Sequence, residues 1–362
     1  MGLIMNKVMV AMSGGVDSSV AALLAVERYG VKNVSGVYMR TWHNDDAVNP
    51  IGNCPWRIDS QDAQSVAEKL GIEFKVINMI DYYKRYVVDP LVDGYRNGIT
   101  PNPDILCNQF IKFGVLKKIA NESGCSFIAT GHYCRRRNNA DGTADIVVPA
   151  DKNKDQTYFL AYLKQEQVQA ALFPLENLTK KEVREIAQQN GFVTAQKKDS
   201  QGICFLGKVK IQDFLSHFIP DSPGNIVNSE GKIVGRHNGL HRFTIGQRHG
   251  LNIPSNSDYD YYVVIGKDLK RNELRVAFEK ERKLYGNCYK IYNLSFINQP
   301  LPDRCQLSCR PRYRDPDQEI SFEKTSDQEA VITFKEPQRA LAPGQVVAFY
   351  KDGTLLGAGT YA

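Results

Sequence analysis

The 362-residue chain has no apolar run that approaches the length of a membrane-spanning helix, which needs about 20 apolar residues. Its first residues also lack the apolar core of a signal peptide, so we expect a cytosolic protein without a membrane partner. No Cys-x-x-Cys pair occurs among the eight cysteines, and Cys305 and Cys309 have no second pair beside them. We therefore expect no metal ligands in the chain itself. The net charge of +6 is compatible with a polyanionic partner but does not require one.

The chain is longer than a single hydrophobic core usually needs, and its pattern changes along its length. The first part alternates short apolar runs with amphipathic helical patterns, which predicts an α/β fold with a doubly wound parallel sheet. From about residue 220 the pattern becomes β-rich, with alternating faces typical of a small barrel. We predict a catalytic α/β domain at 1–212, a small central domain at 213–280 and a C-terminal β-barrel at 281–362.

The predicted elements follow from apolar periodicity and from glycine and proline breaks. In the α/β part we predict strands at 8–12, 33–39, 72–77 and 126–130, and helices at 16–29, 59–70, 82–97, 110–122, 156–172 and 179–190. In the β-rich part we predict a hairpin at 225–234 and strands at 261–265, 273–278, 318–324, 329–334 and 345–350. Because ligands bind at the carboxyl ends of parallel strands, the loops after the first, second and fourth strands should face one ligand.

A glycine turn joins the first predicted strand to the first predicted helix. Two adjacent glycines let backbone N–H groups turn inward, and the helix N-terminus favours a bound phosphate. The turn lacks the lysine of a Walker A loop and the third glycine of a dinucleotide fingerprint. The segment 13–19, Ser-Gly-Gly-Val-Asp-Ser-Ser, instead resembles the pyrophosphate loop (PP-loop) of enzymes that split ATP into AMP and pyrophosphate. The alternative is an ordinary capped turn.

Residues 100–108 hold the first candidate nucleophile, Cys107. Two prolines stiffen the segment and delay the next helix until about Asp104. Cys107 then falls near the start of that helix, where the dipole favours the thiolate. Asp104 lies within reach of it as a proton donor or acceptor. The alternative is a proline turn with a capping aspartate and a buried cysteine.

Residues 197–207 hold a second candidate, Cys204. Lys197 and Lys198 precede it, and they would lower the pKa of its thiol if they face it. Two glycines flank it, which indicates an adaptable segment. An ordinary buried loop cysteine is the alternative, and the sequence alone does not establish that Cys204 meets Cys107.

Six segments, taken in order, resemble the tRNA-specific 2-thiouridylases of bacteria (the MnmA family), which place sulfur on the wobble uridine of tRNA. They are the loop at 13–19, the proline-cysteine segment 100–108, and segments 129–133, 154–160, 199–207 and 244–248. The match runs from the N-terminus to about residue 350, and residues 254–262 match poorly. The resemblance implies a PP-loop ATP pyrophosphatase domain, a small central domain and a C-terminal β-barrel.

The resemblance also implies the site residues. Contacts to ATP fall on Ala11, Met12, Ser13, Gly14, Gly15, Val16, Asp17, Ser18, Met39 and Gly131. Cys107 matches the nucleophile, Cys204 matches the cysteine that carries a persulfide, and Asp104 matches a base contact and acid/base. Further contacts to the target base or the tRNA fall on Asn102, Pro103, His132, Lys154, Asp155, Gln156, Arg312, Tyr313 and Gln345. ATP and Mg²⁺ are the implied cofactors.

The implied reaction activates the uracil C2 oxygen, which is a poor leaving group, as an AMP ester. Sulfur then replaces it, either as hydrosulfide released when Cys107 attacks the persulfide or by direct attack of the persulfide on C2. Both routes end in a disulfide that a reductant must open, and both require the base to be extruded. The implied partners are the tRNAs for Lys, Glu and Gln and a sulfur-donor protein, either a relay protein or a cysteine desulfurase.

Two basic stretches fit an RNA partner. Residues 135–137 are three consecutive arginines, and residues 310–314 combine three arginines with a tyrosine, which allows phosphate contact and base stacking. Two other functions remain open. A PP-loop ATP pyrophosphatase acting on a small molecule would need neither two reactive cysteines nor a basic barrel. A non-catalytic tRNA-binding protein would bind tRNA without consuming ATP.

Overall fold

The computed structural model describes residues 6–42, 56–198, 209–253 and 260–362. The helices are α1 Val16–Tyr29, α2 Trp56–Leu70, α3 Ile80–Tyr83, α4 Asp89–Arg96, α5 Pro103–Leu106, α6 Leu116–Glu122, α7 Gln165–Gln169, α8 Lys180–Gln189 and α9 Ile211–Leu215. π-Helical turns at Lys84–Val88 and Cys107–Val115 join α3 to α4 and α5 to α6. Short 3₁₀ turns lie at Val31–Asn33, Lys152–Lys154, Thr157–Leu160, Leu240–Arg242 and Arg282–Leu284.

The strands of the first half are β1 Val8–Ala11, β2 Val34–Arg40, β3 Glu73–Asn78, β4 Phe127–Ala129, β5 Arg135–Asn138, β6 Ala144–Val147 and β7 Ala171–Leu172. Those of the second half are β8 Gly224–Val227, β9 Ile233–His237, β10 Tyr262–Asp268, β11 Glu273–Phe278, β12 Tyr285–Phe296, β13 Arg304–Arg310, β14 Gln318–Lys324, β15 Glu329–Arg339, β16 Val346–Lys351 and β17 Thr354–Tyr361. No helix within the described ranges is long and apolar enough to cross a membrane.

The first sheet is parallel, in the order β3-β2-β1-β4-β7. Its central strand β1 is buried along its whole length, as expected of a strand covered on both faces. Apolar residues of α1, α2 and α8 form the core on one face. Residues of the helix that runs from α5 to α6 pack on the other. The predicted α/β class with a doubly wound sheet is therefore confirmed.

The C-terminal sheet is antiparallel and closes into a barrel in the order β12-β15-β14-β13-β16-β17, because β12 also pairs with β17. This confirms the predicted barrel. A smaller sheet in the order β10-β11-β8-β9 precedes it and has its own apolar core. The side chains of Thr100 and Thr244 meet at 3.4 Å where this small sheet's domain contacts the α/β domain.

A hairpin that the sequence analysis did not predict, β5 and β6, extends the barrel sheet from the first half of the chain. Strand β6 pairs with the start of β17, with Val147 opposite Thr354. The basic run at 135–137 lies in this hairpin and makes internal contacts. Arg136 donates to two backbone carbonyls near β7, and Arg137 forms an ion pair with Asp145. The side chains of Arg136 and Arg137 therefore make contacts inside the protein. The sequence analysis had interpreted this stretch as RNA-binding and did not predict these contacts.

The predicted helix at 156–172 is wrong. The segment forms a 3₁₀ turn, the short helix α7 and strand β7. The hydroxyl of Tyr158 donates to the backbone carbonyl of Val346, and Tyr162 and Thr360 share a hydrogen bond. Contacts with the barrel thus override the local helical pattern. The predicted helix at 179–190 is confirmed as α8, and Thr179 and Glu182 form a capping box at its start.

Candidate active site

The turn after β1 is a compact loop at the N-terminus of α1. Gly14 adopts a φ of 72°, a conformation that costs little only for glycine. The amide of Ser13 donates to Ser18 Oγ, and Ser18 Oγ donates to the carbonyl of Gly15. No side chain caps the first turn of α1. The loop and helix end therefore form the kind of backbone cradle that binds an anionic phosphate.

Two neighbouring segments pack closely on this loop. A Cβ atom at Gly14 would lie 2.1 Å from the carbonyl oxygen of Asp59 in α2. A Cβ at Gly131, just after β4, would lie 2.8 Å from the carbonyl carbon of Asp17. The loops that follow β1 and β4 therefore meet at the carboxyl edge of the parallel sheet, as the sequence analysis predicted. Met39, near the end of β2, packs against the clusters that contain Ile105 and Cys107.

A lysine that the sequence analysis missed, Lys180, reaches the loop from the start of α8. Its Nζ lies 2.7 Å and 2.8 Å from the two carboxylate oxygens of Asp17. The hydroxyl of Tyr133 donates to the same carboxylate at 2.8 Å. The loop has no Walker lysine, so Lys180 supplies an ammonium group from a distant part of the chain. The sequence analysis gave Lys180 no role beyond its place in the predicted helix at 179–190.

Replacing Lys180 by methionine is expected to weaken ATP binding by about 10- to 100-fold, the range for losing a charge-assisted hydrogen bond. The change removes a positive charge beside the phosphate cradle and leaves Asp17 unbalanced. Lys181→Met is the matched control, because Lys181 is 86% exposed whereas Lys180 is 14% exposed. Titration of each variant with ATP checks this. Equal weakening in both would mean that general surface charge, and not Lys180, is responsible.

The predicted base contacts and the predicted barrel contacts line one cleft of about 380 Å³. The residues of the sequence prediction that line it are Asn102, Pro103, Asp104, Arg312, Tyr313 and Gln345, and they are joined there by Tyr95, Thr100, Pro101, Tyr158, Ile211 and Val346. A cleft of this size is in the range that holds a small ligand or a nucleobase. The α/β domain and the barrel therefore build it together, although their residues are far apart in the sequence.

Helix α5 places Asp104 and Cys107 on this side of the molecule. The side chain of Asn102 accepts hydrogen bonds from the backbone amides of Asp104 and Ile105 at 3.1 and 3.2 Å. Asn102 is therefore the N-cap of the helix, which begins at Pro103. Burial raises the pKa of Asp104, and the nearby charge of Lys112 opposes the shift. Cys107 is the first residue of the π-helical turn and is 4% exposed. A capped, stiff turn thus carries the carboxyl group and the thiol together.

Cys204 lies outside the described residues, within 199–208, but both flanks of that segment are described. On one side, Lys197 Nζ lies 2.7 Å from Asp59 and 2.5 Å from Asp62 in α2, next to the glycine loop. On the other side, Val209 packs against the apolar cluster that contains Cys107. The described residues therefore stop at 198 beside the phosphate cradle and resume at 209 against the apolar cluster that contains Cys107.

Three of the predicted tRNA contacts in the α/β domain make internal contacts. His132 is buried, with Nδ1 2.8 Å from Thr130 Oγ1, and burial holds the pKa of its imidazole well below the usual value. Gln156 Oε1 accepts from the backbone amide of Tyr133. Asp155 forms an ion pair with Arg310 of the barrel. Lys154 is half-buried. Their contact with tRNA stays a prediction.

The predicted barrel contacts face the cleft from two places, with Arg312 and Tyr313 on a short loop after β13 and Gln345 directly before β16. Arg312 Nε donates to Asp315 at 2.8 Å, and the ring of Tyr313 packs on Phe159 with centroids 4.2 Å apart. The side chain of Gln345 accepts from the amide of Ala342 at 3.4 Å. These contacts hold a cation, an aromatic ring and an amide at the rim of one cleft.

The parallel sheet and the uncapped Ser-Gly-Gly loop without a Walker lysine define a PP-loop nucleotide-binding protein, here with a barrel that completes its cleft. Family models match three consecutive regions. They are a "tRNA methyl transferase HUP domain" over residues 6–208, a "tRNA methyl transferase PRC-barrel domain" over 212–278 and an "Aminomethyltransferase beta-barrel domain" over 287–361.

The chain is 48% identical over 359 residues to the tRNA-specific 2-thiouridylase MnmA of Akkermansia muciniphila, with 99% of each chain covered. It is 42% identical to MnmA of Lactobacillus helveticus, covering 98% of this chain and 94% of that protein. The chain belongs to the MnmA family of tRNA-specific 2-thiouridylases. Among solved structures, the U34-tRNA thiolase NcsA of Methanococcus maripaludis is 23% identical, with a TM-score of 0.34, and the match covers 59% of this chain and 67% of that one.

Proposed function

We propose that this protein is a tRNA-uridine 2-sulfurtransferase that uses ATP to thiolate the wobble uridine, position 34, of tRNA. The cleft carries the proposal, because it joins Asn102, Pro103 and Asp104 to Arg312, Tyr313 and Gln345 beside the helix of Cys107. Membership of the MnmA family supports it over the whole length of the chain. The two candidate cysteines of the sequence analysis would favour it over a small-molecule ligase, and the phosphate cradle favours it over a non-catalytic RNA-binding protein.

ATP activates the uridine in the first proposed step. The backbone of the glycine loop, the N-terminus of α1 and Lys180 hold the phosphates. The C2 oxygen of uracil attacks the α-phosphate, the bond to the β-phosphate breaks, and pyrophosphate leaves. Mg²⁺ would neutralise charge on the phosphates when it is bound. An aspartate carboxylate beside the phosphates is a ligand that Mg²⁺ takes, and Asp17, whose oxygens pair with Lys180, would hold it.

Sulfur transfer is the second proposed step, with the sulfane sulfur carried on Cys204. In one route the Cys107 thiolate attacks Cys204 Sγ, the S–S bond of the persulfide breaks, and the hydrosulfide that leaves attacks C2 and expels AMP. In the other, the terminal persulfide sulfur attacks C2, AMP leaves, and Cys107 then attacks Cys204 to free the thiouridine. Both leave a Cys107–Cys204 disulfide, which a thiol reductant must reduce.

The position of Val209 supports a meeting of the two cysteines. Only four residues lie between Cys204 and Val209 in the sequence, and Val209 packs in the same apolar cluster as Cys107.

The proposed partners follow from this chemistry and from the family. The substrate is tRNA, with the acceptors for Lys, Glu and Gln as the expected set, and the target base must leave its stack to enter the cleft. A persulfide on Cys204 requires a sulfur donor, which we expect to be a relay protein or a cysteine desulfurase.

Incubation with ATP, Mg²⁺, sulfide and unmodified tRNA tests the function, since free hydrosulfide can attack the activated C2 itself and so bypasses the persulfide. Digestion and mass spectrometry should detect the exchange of one oxygen for one sulfur on the wobble uridine, together with AMP. No exchange, but pyrophosphate release with a small molecule, would favour the ligase alternative. Tight binding of tRNA without ATP consumption would favour the non-catalytic alternative.

The raised pKa of Asp104 predicts the acid side of the pH profile. If the carboxylate accepts a proton, activity falls as the pH drops through this raised pKa, above the range of an exposed aspartate. Asp104→Asn should remove this limb and lower kcat by about 100-fold or more. Profiles of kcat/KM against pH check it, with the exposed Asp93→Asn as control. An unchanged acid limb in Asp104→Asn would assign it to another group.

A further inference from the structure

A buried ion pair outside the cleft, Asp155 with Arg310, joins the α/β domain to the barrel. Arg310 Nη1 lies 2.7 Å from Asp155 Oδ2, and the two side chains are 16% and 8% exposed. The other oxygen, Oδ1, accepts from the amide of Thr157 at 2.9 Å and from its hydroxyl at 2.6 Å. Both oxygens of Asp155 are thus used inside the protein, and a carboxylate would repel an RNA phosphate.

Arg310 is held on its other sides as well. Its guanidinium lies 4.4 Å from the ring centre of Tyr350, and its Nε donates to Asp317 at 2.8 Å. The hydroxyl of Tyr350 lies 3.0 Å from Thr157 Oγ1, which closes the network. A guanidinium stacked on a ring and bonded to two carboxylates is confined to a single orientation.

Arg310 ends β13 and is followed directly by the loop that carries Arg312 and Tyr313 into the cleft. On the α/β side, Asp155 begins the segment that ends in Phe159, whose ring packs on Tyr313. The two segments are therefore joined at one end by the ion pair and at the other by the ring contact. The position of the loop in the cleft depends on both contacts.

We infer that Asp155 and Arg310 are positioning residues, whose ion pair holds the loop of Arg312 and Tyr313 in the cleft that Asp104 also lines. This inference rests on the proposed function. It gives the side chain of Asp155 a role inside the protein, through its bonds to Arg310 and Thr157.

A double-mutant cycle in kcat/KM for tRNA thiolation tests the inference. Asp155→Asn and Arg310→Met should each lower kcat/KM by about 10- to 100-fold, since small displacements of positioning groups have effects of this size. The double variant should be no worse than the poorer single variant, because both remove one interaction. The KM for tRNA should rise while the KM for ATP stays unchanged, and Arg310→Lys should retain more activity than Arg310→Met.

The exposed pair of Arg304 and Glu323 is the matched control, because it joins β13 to β14 in the same barrel. Arg304→Met and Glu323→Gln should leave the rate near that of the wild type. Effects of Asp155→Asn and Arg310→Met that multiply would overturn the inference and assign Asp155 an independent contact with RNA. A parallel rise in the KM for ATP, with a lower unfolding temperature, would reduce the pair to a merely structural role. Absence of thiolation by the wild type would instead overturn the proposed function.

Discussion

Replacing Cys107 by serine is expected to abolish tRNA thiolation, by about 1,000-fold or more, as when a nucleophile is removed from a catalytic set. A serine hydroxyl is not ionised at neutral pH and cannot attack a persulfide or resolve one. The affinity for tRNA should stay nearly unchanged, because the residues that line the cleft remain and Cys107 itself is buried and not part of that lining. Cys204→Ser should cause an equal loss of thiolation, because the variant lacks the residue that carries the sulfane sulfur.

Mass spectrometry of tRNA digested after incubation with a persulfide donor, such as a cysteine desulfurase with cysteine, checks this prediction together with a tRNA-binding titration. Free sulfide is left out of this assay because it would bypass both cysteines. The two variants also differ in a useful way, because only Cys107→Ser should retain a persulfide after exposure to a sulfur donor. Cys288→Ser is the control, since Cys288 is exposed in the barrel away from the cleft lining. Normal thiolation by either Cys107→Ser or Cys204→Ser would make the two-cysteine mechanism wrong.

Replacing Gly14 by alanine is expected to destabilise the fold by about 3 kcal/mol or more and to remove ATP binding. The backbone at Gly14 has a φ of 72°, which strains any residue with a Cβ. The added Cβ would also lie 2.1 Å from the carbonyl oxygen of Asp59, so the loop and α2 must separate. Lys197, which pairs with Asp59, would lose its position at the same time.

Gly124→Ala separates the two causes. Gly124 has a φ of 75°, but a Cβ there would meet nothing within 4 Å. This variant should therefore cost only about 1 to 2 kcal/mol, the strain of the left-handed backbone, and should bind ATP normally. Denaturant unfolding and ATP titration measure both quantities. Equal losses in the two variants would mean that contact between the loop and α2 contributes little.

The sequence was sufficient for the parts of the fold that local patterns encode. Apolar runs of strand length and amphipathic helices with glycine stops placed α1, α2, β2 and β11 within a few residues of where the structure has them. The class of the sheet then followed, because strands that alternate with helices leave few arrangements. The closure of the C-terminal strands into a barrel also agrees with their alternating pattern.

The segments that were missed depend on distant contacts. The apolar residues of 156–172 look helical, yet Tyr158 and Tyr162 bond to the barrel, and β7 adds to the edge of the parallel sheet. The hairpin of β5 and β6 carries three consecutive arginines, a poor signal for a strand. Its partner β17 lies near the other end of the sequence. No local pattern contains this information.

The residues of the candidate site also fall into two groups, those that a local sequence pattern predicts and those that only the fold brings together. The glycine loop and the proline-cysteine turn are recognisable because each needs particular residues at adjacent positions. Lys180 was missed because only the fold brings it to Asp17. The internal roles of His132 and Asp155 could not be seen either, since a polar residue in a sequence motif carries no sign of its burial.

The pairing of β6 with β17 has a consequence for biosynthesis. The ribosome completes the α/β domain's hairpin early, but the strand that covers it, with Thr354 opposite Val147, emerges only with the last part of the barrel. Until then the edge of β6 is an unpaired strand, which is a site for aggregation. The hairpin of β5 and β6 therefore completes its pairing only after β17 has been synthesised.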